Sequence, residues 1–137
     1  MRSDLVPNIE NLSVNDVTFV VIGKNEASNL ERCFQSIKKY SNQIIYVDSS
    51  SSDNSLDVAK ELNISKILKL KSSYYSASLG RVVGAMHVNT KCIQFLDGDM
   101  TIESDWLEFA LEKINSNNKI AVVHGFKKEF KKNVIDY

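Results

Sequence analysis

The chain has 137 residues, 43% of them hydrophobic, which is enough for one compact domain with a real core and too much for a disordered segment. Seventeen basic and seventeen acidic residues cancel, so no global field draws the protein to nucleic acid or an anionic membrane, and any partner is recognised locally. The two cysteines, Cys33 and Cys92, lie far apart without Cys-x-x-Cys or Cys/His spacing; this argues against a zinc site or a disulfide framework, and both read as buried thiols in a reducing compartment.

Residues 1–16, MRSDLVPNIENLSVND, have no apolar core of a signal peptide and carry the single proline, Pro7; they read as a polar, loosely docked arm. No later stretch approaches the roughly 18 apolar residues of a membrane span, so a soluble, cytoplasmic protein is expected. VTFVVIG, from Val17 to Gly23, is a short, β-branched apolar run predicting a strand buried on both faces. Leu30, Cys33, Phe34 and Ile37 then fall at i, i+3, i+4 and i+7, one stripe of a helix. QIIYVDS, Gln43 to Ser49, predicts a second strand, and after a serine loop a second helix buries Leu56, Ala59 and Leu62. ISKILKL, Ile64 to Leu70, alternates more and belongs nearer a sheet edge.

Leu79, Val82, Val83 and Met86 form a third helical stripe with His87 at its boundary and Gly84 suited to close helix–sheet packing, and CIQFLD, Cys92 to Asp97, is a fourth strand. Trp106, Leu107, Ala110, Leu111 and Ile114 mark a fourth helix, with Trp106 read as core, and KIAVVHG, Lys119 to Gly125, a fifth strand ending near His124. KKEFKK, Lys127 to Lys132, lies in the basic stretch 126–137, which reads as a solvated strand edge or tail, or as the start of a further part of the fold. Strands alternating with single helices predict an α/β fold over 17–125, with right-handed crossovers and a mainly parallel sheet covered by helices on both faces.

In such sheets the ligand crevice lies at the carboxyl ends of the strands. The loops there are Lys24-Asn25-Glu26, Asp48 to Asp53, Lys71 to Ser78, and Asp97-Gly98-Asp99, and three of the four carry carboxylates. In Asp97-Gly98-Asp99 the glycine lets the chain turn so that two carboxylates face one cation that would bridge to phosphate oxygens; the alternative is an ordinary turn. In YVDSSSSD, Asp48 ends a central strand and the hydroxyl-rich loop through Ser51 suits a planar polar ligand, whereas Asp53 is either a ligand or a helix cap. In GKNEASNL, Asn25 reads as a cap and Glu26 as a complement to a helix N-terminus. The chain lacks GxGxxG and a P-loop, which removes two common nucleotide-binding classes.

The ordered set of KNE with NLERCFQSI, VDSSSSDNS, GRVVGA, FLDGDM and DWLE resembles the N-terminal half of glycosyltransferase family 2, the nucleotide-diphospho-sugar transferases of GT-A (Rossmann-like) fold. The resemblance covers nearly everything from Val17 to Gly125. It implies that Asp48 contacts the nucleobase, that Lys24, Asn25 and Glu26 line the nucleoside pocket with Ser51 and Asp53 beside them, and that Asp97-Gly98-Asp99 is the family's DxD. Asp99 would then be the direct ligand of Mn or Mg on the diphosphate, with Asp97 nearer the ribose or metal. Arg81 stands where the family often has an arginine that reaches the donor; here RVV replaces the family's Arg-Asn, and a helix-surface cation is the competing reading.

The implied activity is a metal-dependent, inverting transfer from a nucleotide-diphospho-sugar, with a UDP-sugar the expected donor and a carboxylate base deprotonating the acceptor. No residue here matches that base, which the resemblance places beyond Tyr137, so the expectation is a donor-binding portion with little activity alone. A second reading is a non-catalytic nucleotide-binding or interaction module completed by a partner or by homodimerisation. A third follows from DGDMT, which also satisfies the DxDxT pattern of haloacid dehalogenase-type phosphatases; that motif normally ends the first strand of its core, and here it ends the fourth.

Overall fold

The computed structural model describes residues 11–128. After a 3-10 turn at Val14–Asp16 come β1 (Val17–Gly23), α1 (Ala27–Lys38), β2 (Ile44–Asp48), α2 (Ser55–Glu61), β3 (Lys66–Lys69), α3 (Ala77–Ala85), β4 (Cys92–Asp97) and α4 (Trp106–Ser116). The four strands form one parallel sheet in the order β3-β2-β1-β4. β1 is central, and its Phe19, Val20 and Val21 are fully buried, as a strand covered on both faces requires.

On one face Phe19, Val21, Ile44, Tyr46 and Leu96 pack with Leu30, Cys33, Phe34 and Ile37 of α1, Ala59 of α2, and Leu107 and Leu111 of α4. On the other, Val20, Ile22, Ile45 and Val47 meet Leu79 and Val83 of α3. The expected α/β sheet with helices on both faces is therefore present, and β3 is at an edge with its strand half open to solvent.

Several expectations need correction. Of the expected stripe on α3, Leu79 and Val83 pack on the sheet, but Val82 and Met86 are 58% and 78% exposed, and Gly80 and Gly84 are the buried residues of the helix. The helix lies on its glycines because only they allow its backbone so close to the sheet. A Cβ on Gly84 would fall 2.3 Å from Val20 Cγ1 and 3.1 Å from Val47 Cγ2, whereas one on Gly80 would fall 3.2 Å from Ile22 Cγ2. Gly84→Ala is therefore expected to cost about 1–3 kcal/mol net through overpacking, with Gly80→Ala close to neutral because helix propensity offsets its milder contact. Urea unfolding with unchanged slope and a lower midpoint for Gly84→Ala alone checks this.

No strand forms at Lys119–Gly125. β4 is instead the second edge among the described residues, with Ile93 and Phe95 37% and 38% exposed. Ala121 to Lys128 run across from it, and a groove of 1080 Å³ is lined by both. Trp106 is half-buried at this groove rather than in the core, its indole donating to Gln94 Oε1 at 2.8 Å. Cys33 is fully buried but Cys92 only half-buried, and both are free thiols.

The expected arm is docked at Leu12, whose backbone exchanges two hydrogen bonds with the Asn115 side chain on α4, at 2.8 and 2.9 Å. Residues 1–10 of that arm, and most of the basic tail, lie outside the described residues. Among the described residues no helix is long and apolar enough to cross a membrane.

Candidate functional site

Strand register sets the floor of the crevice. Asp48 pairs with Gly23 on one side and Lys69 on the other, while Ile22 pairs with Asp97, so Lys69, Asp48, Gly23 and Asp97 form a row along the carboxyl edge of the sheet.

At the β4 end of that row, the Gly98 amide donates to Ile22 O at 2.8 Å and the Met100 amide to Asp97 O at 2.9 Å. Gly98 is not needed here for a left-handed turn, since no glycine among the described residues has positive φ. It is needed because a Cβ would stand 3.0 Å from Leu30 Cδ2, 3.3 Å from Ile22 O and 3.4 Å from Glu26 Cβ. The DGD turn is thus pressed against the first turns of α1, which leaves Asp99 exposed and Asp97 half-exposed. Asp97 Oδ1 accepts from Arg81 Nη2 at 2.7 Å, and the Asp99 carbonyl accepts from the Arg32 guanidinium at 3.4 Å.

Cys33 senses the charge gathered here. Its Sγ donates to Asp97 O at 3.8 Å, and its pKa is pushed up to about 12, first by burial and then by Asp99, Asp97 and Glu26, with Arg32 opposing. Three carboxylates thus lie close enough to act on the buried thiol beneath the turn.

The other expected site residues are joined across two loops. Asn25 does not cap α1. It takes φ 57°, its Oδ1 accepts from the Ser52 amide at 2.8 Å, and its own amide donates to Ser51 Oγ at 2.9 Å. The cap of α1 comes instead from Asp53, whose Oδ2 accepts from the Ala27 amide at 3.0 Å while its Oδ1 accepts from the Ser55 amide at 2.9 Å. Those bonds, the Ser55 hydroxyl foremost, hold the Asp53 carboxyl below its ordinary range. Ser55 Oγ also accepts from the Glu26 amide at 3.0 Å, and Glu26 Oε2 from the Asn29 side chain at 2.7 Å.

Asp48, expected to touch a nucleobase, is fully buried. Its oxygens accept from the Tyr46 hydroxyl at 3.1 Å, the Ser51 amide at 2.9 Å and the Ser51 hydroxyl. Burial and the neighbouring Asp48 push the Tyr46 phenol well up. What the β2 end presents to the crevice is the half-exposed Ser50 and Ser51.

Tyr75 was not singled out from sequence. Its hydroxyl donates to Ser50 Oγ at 2.9 Å and accepts from the Ser72 amide at 3.3 Å; Ser50, at φ 56°, donates in turn to Leu70 O at 2.6 Å. Lys24 Nζ lies 5.1 Å from the Tyr75 ring centroid, within cation–π range. The Ser50 and Ser72 bonds, with the Lys24 and Lys69 fields, lower the phenol's pKa. A tyrosine in the Lys71 to Ser78 loop was the available signal. His87 is exposed with its ring against Val83 O at 2.8 Å, and His124 lines the groove that Arg81 and Asp97 also line.

Among the described residues no group of three His, Cys, Asp or Glu side chains could hold a metal ion unaided. Asp97 and Asp99 are a pair of oxygen donors suited to an Mg- or Mn-type ion that takes one or two carboxylates and completes its shell with water and a ligand's phosphates.

The family model described as glycosyl transferase family 2 matches residues 18–137. A curated relative from Rickettsia bellii (strain RML369-C), described as an uncharacterized glycosyltransferase, is 33% identical over 58 residues, covering 42% of this chain and 20% of that protein. Crystal structures of S. aureus TarS superpose with a TM-score of 0.62 at 20% identity over 72% of this chain, covering 32% of the 1–349 form and 20% of the other. At that identity the likeness is one of fold. The chain thus spans between a fifth and a third of the proteins it matches.

Proposed function

The chain belongs to glycosyl transferase family 2, and from that membership we propose that it carries the donor side of a metal-dependent, inverting transferase that takes a nucleotide-diphospho-sugar, a UDP-sugar first among them. The observation that carries the reading is the DGD turn. It sets Asp97 and Asp99 at the carboxyl edge of the sheet, in the same row as the loops after β1 and β2, with Arg81 at 2.7 Å from Asp97.

In this reading each residue has a defined task. Asp99 and Asp97 would hold Mn or Mg, which when bound would supply positive charge for the leaving nucleoside diphosphate. Lys24, laid over Tyr75, supplies positive charge at the β1 end, and the Ser50 and Ser51 oxygens, their protons held by Leu70 and Asp48, can accept from the base and ribose. Asn25, Glu26, Asp53 and Ser55 hold the two loops at fixed spacing, so the crevice is pre-formed. Asp48 acts from beneath the floor by fixing Ser51, and touches a base only if Ser51 yields.

The acceptor and the base that deprotonates it are assigned to no described residue. The phosphatase alternative has no support, since Asp97 ends the fourth strand of the sheet and is held by Arg81. Family membership likewise gives no support to a purely non-catalytic module.

Calorimetric titration with UDP, GDP and TDP, each with and without manganese, tests the proposal. Manganese-dependent binding of UDP is the expected result. Absence of binding by all three diphosphates would sink the donor-site reading for this chain.

A further inference from the structure

The Arg81–Asp97 ion pair stands where the proposed cation has to arrive. Arg81 Nη2 is 2.7 Å from Asp97 Oδ1, and the two side chains are 36% and 43% exposed. The pair is desolvated enough for the guanidinium to compete for the carboxylate and open enough for it to leave. Its backbone is fixed more firmly than its head. Gly80 and Gly84, on either side of Arg81 along α3, bring the helix onto Ile22 and Val20, so the half-exposed arginine side chain is freer to move than the helix that carries it.

A guanidinium on Oδ1 and a divalent cation on the same carboxylate stand only a few ångströms apart, and their repulsion weakens both unless a further anion joins them. A diphosphate changes that balance, since it brings oxygens that suit a guanidinium's fork geometry as well as the cation.

Building on the donor-site reading above, we infer that Arg81 is a resident counter-cation of the DGD turn that exchanges partners during donor binding, from Asp97 to the diphosphate. While the diphosphate is absent, Arg81 occupies Asp97 and keeps the cation weak. When it is present, Arg81 has a second anion to move to and Asp97 is released. Metal and nucleotide are thereby coupled, and by linkage each raises the other's affinity by the same factor. The coupling assigns Arg81 a positioning and gating role that a helix-surface cation would not have.

The test is calorimetry on the wild-type chain, Arg81→Gln and Arg81→Lys, each titrated with manganese alone, UDP alone, and manganese with UDP saturating. In the wild type, manganese alone is expected to bind weakly and to tighten by roughly 10–100-fold with UDP. In Arg81→Gln the manganese-only affinity should rise several-fold while the tightening by UDP shrinks about tenfold, with Arg81→Lys between the two. Opposite signs in one variant are what a merely structural arginine would not give, since loss of structure weakens both. Arg81→Gln that leaves manganese-only binding unchanged or weaker, with wild-type coupling intact, overturns the exchange and spares the donor site. A wild-type chain that binds no manganese and UDP together removes the donor site itself.

Discussion

Asp48→Ala is expected to destabilise the domain by about 2–5 kcal/mol, making it one of the most damaging single substitutions in the crevice. Asp48 is fully buried at the end of β2. Removing its carboxylate takes the acceptor from the Ser51 amide, 2.9 Å away, and from the Tyr46 hydroxyl, 3.1 Å away, which keeps only the Ser51 and Ser55 hydroxyls beside it. Each stranded donor costs about 1–3 kcal/mol, and Tyr46, itself fully buried and edge-on to Phe34 at 5.7 Å between centroids, cannot turn its hydroxyl to water without opening the core. Asp48→Asn, which keeps the volume and one acceptor, should lose less than half as much. Urea midpoints measure both. If Asp48→Ala unfolds at the wild-type midpoint and loses only UDP affinity, the carboxylate is a ligand contact rather than a support for the loop.

Much of the fold was legible because it is written in apolar side chains. The run Val17 to Ile22 and the stripe Leu30, Cys33, Phe34, Ile37 could bury themselves only as a central strand and a covering helix, and they do. What escaped is written in missing or polar side chains. Apolar periodicity assigned Val82 and Met86 to the inside of α3; the close approach at Gly84 was expected, but Gly80 shares that side, since the absence of a Cβ is what allows contact. The stretch Lys119–Gly125 has the composition of a strand, yet strand formation needs a paired neighbour, and it is not hydrogen-bonded to β4.

The site divides in the same way. The position of Asp97-Gly98-Asp99 at a strand's carboxyl end followed from pattern, whereas the role of Gly98 depended on how closely α1 approaches. Asn25 and Asp53 each looked like local caps because a cap can be read from adjacent residues. Asp53 does bond Ser55 locally, but the partners Ser52 for Asn25 and Ala27 for Asp53 lie on the opposite loop, a relation that exists only once β1 and β2 are side by side. The Arg81–Asp97 pair is of the same kind, joining α3 to the end of β4.

Asp99→Ala is expected to weaken manganese-dependent UDP binding by at least about 100-fold while changing stability by no more than about 0.5 kcal/mol. The two halves of that expectation have separate causes. Asp99 is exposed, and its contact with Arg32 is made through the backbone carbonyl, which alanine retains; the turn itself is held by the Gly98 and Met100 amides, which are also untouched. The carboxylate therefore contributes little to folding, which leaves it available for the oxygen-donor role proposed above. Asp97→Ala should show the contrast, because it removes a donor and also strands Arg81, whose guanidinium then has only a diphosphate to meet. UDP without manganese should bind Asp97→Ala at least as well as the wild type, and Asp99→Ala no better. If Asp99→Ala instead unfolds the domain and leaves ligand binding intact in the folded fraction, the DGD turn is a structural turn and the cation belongs elsewhere.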